Sequence, residues 1–181
     1  EKGIDADIAR LAFSDGAIDM IDAWFASIDA AMLEALPAAT LAAMPIRQRI
    51  TALIEARLTR MAPDREALRR AMATLAMPVH TRSAARLGWR AADAMWRAAG
   101  DKATDLSHYS KRVTLGAVYA ATLLVFVDDD SDGLADSRAF LARRIDGVMR
   151  FEKTKAAFKG VGGGERLSLA RFIGRLRYPV G

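Results

Sequence analysis

Residues 95–112 read MWRAAGDKATDLSHYSKR, and this stretch decides the fold. Before it, Leu87, Ala91, Ala94, Met95 and Ala98 recur at three- and four-residue spacing, which predicts an amphipathic helix from Ser83 to Ala99. Gly100 is the residue type that can adopt the left-handed conformation closing such a helix. Asp105, after Thr104, offers a side-chain oxygen to cap a new one. The second helix then reads through Val127 and is nearly apolar on all sides after Val113, which predicts the central helix of a helical domain. Its apolar run, Leu115 to Val127, is 13 residues long and stops at Asp128. A bilayer needs roughly 20, so this is a buried helix and not a membrane span.

Working outward, every segment keeps the helical period. Upstream, Ile4, Ile8, Leu11 and Ala12 mark a short helix over 4–12. Ser14-Asp15-Gly16 then caps an amphipathic helix from Ala17 to about Leu36, ended by Pro37. A helix over Thr40–Met61 has Pro45 in its first turn or at its true start, and Pro63-Asp64 opens another to about Met77. Downstream, a helix runs from about Asp136 to Phe158, and Lys159 to Gly164 reads as a flexible tether. After it, Leu169, Phe172, Ile173 and Leu176 line one face of a basic helix over Arg166–Tyr178. No strand pattern and no internal repeat is present. The fold class is all-α, organised as a helix-turn-helix remnant (1–14), a helical domain (15–159), and a glycine linker with an amphipathic basic helix (160–181).

Composition agrees. Apolar residues make up 52% of the 181 positions but aromatic ones only 7%; the rest is largely Ala, Leu, Ile and Met, which favour helix packing over sheets. The absence of cysteine excludes disulfides and thiolate zinc sites and is compatible with an intracellular compartment. The chain opens at Glu1 without a signal or transit segment, so further N-terminal sequence is expected ahead of it. The 27 Lys and Arg against 22 Asp and Glu give a net charge of +5, whose placement matters more than its size.

Chemistry-bearing motifs are sparse. There is no G-x-S-x-G elbow, no cysteine nucleophile and no Glu-x-x-His pair, so an enzyme is not expected. Neither His80 nor His108 belongs to a His pair or a Glu-x-x-His pair at helical spacing, so no metal site is expected. Gly160 to Gly164 lacks the Lys-Ser or Lys-Thr of a phosphate loop. Asp128 to Gly133 matches the opening of a calcium loop, but the twelfth position is Ala139 where a bidentate Glu belongs, which predicts an acidic turn.

Three features bear on function. The tethered basic helix, through Arg166, Leu169, Arg171, Phe172, Ile173, Arg175 and Leu176, suits a membrane interface, a partner, or docking back on its own domain. In the central helix, Gly116, Ala117, Ala120 and Ala121 are small enough to leave space, and Tyr119, Leu123 and Phe126 either line a ligand cavity or form plain core. Lys2 to Phe13 has the layout of the latter part of a helix-turn-helix leading into a helical domain, as in TetR-type regulators. Asp5 and Asp7 stand where a recognition helix offers cations or amides, so nucleic acid is not the expected partner. A TetR-type regulator sensing a hydrophobic molecule is the alternative reading.

The series Trp96, Ala99-Gly100-Asp101, Thr104-Asp105, Tyr109, Lys111-Arg112, continued by Leu115, Val118-Tyr119, Thr122, Phe140-Leu141 and Arg143-Arg144, resembles the ninth coenzyme-Q biosynthesis protein family in its bacterial form. Arg10-Leu11-Ala12-Phe13, Gly16-Ala17 and Asp19 extend the resemblance over most of residues 3–150. It implies a TetR-like helical bundle, a homodimer, and a non-catalytic protein. Such a protein binds an isoprenoid or quinone lipid, without other cofactor, and presents it to the demethoxyubiquinone hydroxylase. It further implies a cytoplasmic protein peripheral on the bacterial inner membrane, with the last helix as the membrane contact. Lipid contacts then fall on Trp96, Gly116, Tyr119, Ala120, Leu123 and Phe126, and the hydroxylase-facing patch on Met95, Asp105, His108, Tyr109, Lys111 and Arg112. The family commonly has tryptophan before that tyrosine, where this chain has His108. Trp96 and Tyr109 also fit ordinary helix-helix packing.

Overall fold

The computed structural model describes residues 13–102 and 106–161, with backbone alone for Leu106 and 152–161. Residues 1–12 of the expected helix-turn-helix remnant (1–14), the Thr104-Asp105 cap and the basic helix expected over 166–178 lie outside the described residues. Among the described residues seven helices are seen: α1 (Ala17–Ala35), α2 (Ala38–Ala42), α3 (Ile46–Met61), α4 (Arg65–Leu75), α5 (Thr81–Ala98), α6 (Leu106–Phe126) and α7 (Ala135–Val161). Single 3₁₀ turns at Ala62–Asp64, Pro78–His80 and Asp132–Leu134 join some of them, and no strand occurs among the described residues. The fold is all-α.

The chain divides into two compact units, Glu1–Ile145 and Asp146–Gly181. Within the first, α5 packs chiefly on α6 and α1 chiefly on α3, with α5 also meeting α1, α3 and α4. The core-facing positions follow the helical period: Ile18, Ile21, Phe25, Ile28 and Met32 on α1, and Leu87, Ala91, Ala92 and Met95 on α5. In the second unit the backbone of α7 continues to Val161, so Lys159, Gly160 and Val161 are helical where a tether was expected. Composition alone weighs glycine against helix by only about 1 kcal/mol per residue.

Local chemistry sets the boundaries. Gly16 takes φ +61°, and Asp19, in the first turn of α1, accepts the Asp15 N–H at 2.8 Å. The carboxylate thus reaches back over the entry, in place of a cap from Ser14 or Asp15. The single helix expected from Thr40 is broken in two: Pro45 is extended ahead of α3, and α2 ends before it. Arg49 stitches the pieces together by donating to the carbonyls of Ala42 (3.1 Å), Met44 (2.8 Å) and Ala99 (2.8 Å). These include otherwise unpaired C-terminal carbonyls of two helices. The end of α5 is a Schellman motif: Gly100 N–H bonds Arg97 O and Asp101 N–H bonds Trp96 O, both at 2.9 Å, with Gly100 at φ +90°.

One expectation is corrected. The α6 helix is not central: Leu115, Tyr119, Leu123 and Phe126 are buried, but Val113 and Leu124 are each 63% exposed and Ala117 and Ala120 are exposed too. An apolar sequence does not reveal which face lacks a neighbour. The acidic turn, in its turn, is a helix-capping device. Asp129 is buried, accepts the Ser131 N–H at 2.9 Å and the Ser137 N–H at 2.8 Å, and is also bonded by both serine hydroxyls. Arg69 pairs with Asp128 at 2.9 Å, and Arg65 donates to the Asp129 carbonyl. No cluster of three or more metal-ligating side chains, and no helix long and apolar enough to cross a membrane, occurs among the described residues.

Candidate functional site

The α5–α6 corner is built around Arg112, whose side chain is almost completely buried. Its Nε donates to Asp93 Oδ1 at 2.6 Å, and one Nη reaches Asp101 Oδ2 and the His108 carbonyl, both at 3.1 Å. Each carboxylate has a second cation: Arg97 lies 2.7 Å from Asp93, and Lys111 lies 2.7 Å from Asp101. Lys111 also sits 5.5 Å over the ring of Trp96, whose Nε1 donates to the Lys111 carbonyl at 3.0 Å. Of the residues expected to face the hydroxylase, Met95 is fully buried and Arg112 is enclosed by this network; Asp105 lies outside the described residues.

What the corner presents outward is aromatic. Tyr109 is 58% exposed, and its ring lies 5.2 Å from His108, edge-on, and 5.9 Å from Trp89 of α5; Trp89 and His108 are 6.2 Å apart. Trp89 is 37% exposed. The sequence reading missed it, although a tryptophan on the cationic side of an amphipathic helix, next to Arg90 and three residues from Arg86, was the available signal. Where the family pattern puts tryptophan beside the tyrosine in sequence, here a tryptophan arrives from the neighbouring helix. From Tyr109 the apolar surface continues along α6 through Val113, Ala117, Ala120 and Leu124.

The residues expected to contact lipid are not all brought together. Tyr119, Leu123 and Phe126 share the inward face of α6 and belong to the core, Phe126 lying 5.1 Å beneath the Arg65 guanidinium. Ala120 is exposed, and Trp96 stands near the opposite end, at the Lys111 corner. Gly116 marks a close helix approach: a Cβ there would lie 3.7 Å from the Gly88 carbonyl and 3.9 Å from Ala92 Cβ. Small residues on α6 are matched by small residues on α5, so they bring the helices together.

A second polar group lies inside the core. Arg57 of α3 is fully buried, pairs with Asp29 of α1 and donates from Nε to the Tyr119 hydroxyl at 3.0 Å. Burial opposes its charge, but the Tyr119 oxygen and the Asp29 carboxylate outweigh that and hold Arg57 above the usual arginine value. Burial pushes the Tyr119 phenol up, with Arg57 offsetting part of the effect, so the phenol keeps its proton at neutral pH. The signal missed here was a charge on an apolar face: Arg57 among Ile50, Leu53, Ile54, Leu58 and Met61, and Asp29 among Phe25, Ile28 and Met32.

A sequence profile of the COQ9 family matches residues 81–152. The ubiquinone biosynthesis protein COQ9, mitochondrial, of Homo sapiens is 34% identical over 109 residues, covering 60% of this chain and 34% of that protein. The rat protein of the same name is 33% identical over 109 residues, covering 60% of the chain and 35% of its own length; the Drosophila melanogaster one is 29% identical over 108 residues, covering 60% and 33%. Over residues 81–152 the chain is similar to the COQ9 family. The chain spans about a third of the length of these curated relatives. The COQ9 segment opens with α5, contains all of α6 and runs into α7. It therefore includes the Arg112 network and the Trp89, His108 and Tyr109 cluster, whereas Asp29 and Arg57 precede it.

Proposed function

We propose that this chain is a non-catalytic, lipid-binding accessory protein of ubiquinone biosynthesis, which presents an isoprenoid or quinone intermediate to the demethoxyubiquinone hydroxylase. The observation that carries this reading is the cluster of exposed Trp89 and Tyr109 with half-buried His108, held within the COQ9 segment by a buried ion-pair network. Exposed aromatic side chains on a rigid support are the chemistry of a binding hot spot. The names of the relatives support the pathway. In this reading Tyr109, His108 and Trp89 meet the hydroxylase, while Lys111 and Arg112 hold the corner in shape. The apolar outer face of α6 supports a homodimer, and the basic, amphipathic segment over 166–178 holds the protein to the cytoplasmic face of a bacterial inner membrane. No cofactor beyond the lipid is invoked. A TetR-type regulator is not favoured, because the relatives named above are ubiquinone biosynthesis proteins.

The test is binding of the purified hydroxylase to immobilised wild-type chain and to the Trp89→Ala, Tyr109→Ala double variant. A loss of affinity of tenfold or more, with unchanged helicity, is expected. Equal affinity would remove this face as the partner surface.

A further inference from the structure

Five polar side chains from four helices form a line that runs from the surface into the core: Asp22 and Asp29 of α1, Arg90 of α5, Arg57 of α3 and Tyr119 of α6. Arg90 pairs with Asp22, donates to the Asp22 carbonyl at 3.0 Å, and places its Nε 3.3 Å from Asp29 Oδ2. Asp29 pairs in turn with Arg57, and Arg57 donates to the Tyr119 oxygen with its guanidinium 4.9 Å over the ring. The line ends in two unused donors. Arg57 Nη2 is buried and has no hydrogen-bond partner among the described residues; Arg90 Nε, further out, is also buried and makes no hydrogen bond, but it has the Asp29 carboxylate as an ion-pair partner at 3.3 Å. The Tyr119 oxygen accepts from Arg57, which leaves its own hydrogen to give, and no acceptor for it stands among the described residues.

Buried donors in native proteins are nearly always satisfied, and an unsatisfied one in the core needs an explanation. Two donors on adjacent groups call for one shared acceptor. Its charge follows from its neighbours: the carboxylates of Asp22 and Asp29 balance the guanidiniums of Arg57 and Arg90, so the surroundings favour a neutral oxygen over an anionic one. Arg86 reaches Asp22 only at 3.9 Å and from the exposed end. Along their own helices Arg57 and Tyr119 are flanked by the buried Ile54, Leu58, Leu115 and Leu123, so whatever carries that oxygen is otherwise apolar.

We propose that Arg57 Nη2 and the Tyr119 hydroxyl together bind the carbonyl oxygen of a neutral, long-chain amphiphile of the ketone or quinone class. The site fixes the polar end of the ligand while core side chains of α3 and α6 receive its apolar body. This inference rests on the lipid-binding reading above and adds the group that orients the lipid. A buried water offers the same acceptor chemistry, and the test separates the two.

The experiment compares binding of decyl-1,4-benzoquinone and of decylbenzene, which has the chain without the oxygens, to the full chain. Native mass spectrometry supplies the affinities, and infrared spectroscopy of the ¹³C-carbonyl-labelled quinone supplies the bond. Wild type is expected to hold the quinone at least tenfold tighter, with its carbonyl stretch moved to lower frequency. In Tyr119→Phe and in Arg57→Lys, which keeps a cation beside Asp29, that preference should fall below threefold. The wild-type spectrum reads the same contact without a substitution, so the inference does not depend on either variant folding. Equal binding of both probes, or a carbonyl stretch unchanged from that in alkane, would assign the donors to water and leave lipid binding standing. Binding of neither probe would overturn the lipid-binding reading and this site with it.

Discussion

The indole N–H of Trp96 donates to the carbonyl of Lys111 at 3.0 Å, and the Lys111 ammonium sits 5.5 Å over the same indole ring. The two residues thus hold each other twice across the α5–α6 corner. Lys111 also pairs with Asp101, the residue whose N–H closes the Schellman motif of α5 on Trp96 O. Cap, aromatic packing and ion pair therefore fix one angle between two helices, and that angle sets where Trp89 and Tyr109 meet.

Arg112 is the keystone of this corner, and Arg112→Met should destabilise the fold by about 3 kcal/mol, the low end for breaking a buried pair. Arg97 and Lys111 still neutralise part of the charge on Asp93 and Asp101, which keeps the loss from being larger. Urea unfolding at neutral pH measures it. A loss below about 1 kcal/mol, the range of an exposed pair, would mean that the network is dispensable.

Two glycines should respond in opposite directions. Gly100 sits at φ +90°, where a Cβ would also stand 3.4 Å from Arg49 Nη1, so Gly100→Ala should cost about 1 kcal/mol or more. At Gly116, in contrast, the backbone is helical and a Cβ would make ordinary contacts with Gly88 O and Ala92 Cβ. Gly116→Ala should therefore stabilise by about 0.5–1 kcal/mol. Thermal unfolding of the two variants checks both signs, and destabilisation by Gly116→Ala would show that α5 and α6 are packed more tightly than these distances allow.

Much of this architecture was legible from residues that act locally. Pro37, Gly100 and the period of Leu87, Ala91 and Met95 mark helix ends and a core face without reference to the rest of the chain. The candidate site was legible only in part. Lys111-Arg112 reads as a cationic surface because the groups that bury Arg112, Asp93 and Asp101, come from the other side of the turn. Gly116 and Ala120 read as room for a ligand, but whether small side chains leave space or admit a neighbour depends on the facing helix. Here Gly88 and Ala92 face Gly116, and Ala120 is exposed among the described residues.

Asp129 gives the fold a pH dependence at the acid end. Burial pushes its carboxyl up, but the N–H and O–H donors of Ser131 and Ser137 outweigh this and hold it well below the usual carboxylate range. Because the folded-state value lies below the unfolded one of about 3.9, the stabilisation is complete above that value and is lost as pH falls from about 4 through the folded value. Asp129→Asn should cost about 1–2 kcal/mol at pH 7, in line with a lost helix cap. It should also flatten the dependence, so that wild type loses more stability than the variant between about pH 5 and pH 3. Parallel denaturation curves over that range would mean the charge of Asp129 is not what Ser131 and Ser137 recognise.

The outer face of α6 carries no charge from Val113 to Leu124, and its two largest aliphatic side chains there, Val113 and Leu124, are each 63% exposed. A contact between identical copies must be self-complementary. An antiparallel pairing that sets Ala117 of one copy against Ala120 of the other brings Val113 opposite Leu124. Leu124→Glu places a charge in that contact and removes nothing from the core, so the monomer should keep its stability within about 0.5 kcal/mol. Sedimentation equilibrium should then find monomer at a concentration where wild type is dimeric. A variant that stays dimeric would move the contact off α6, and a wild type that is monomeric throughout would leave this apolar face to the hydroxylase, continuous with Tyr109.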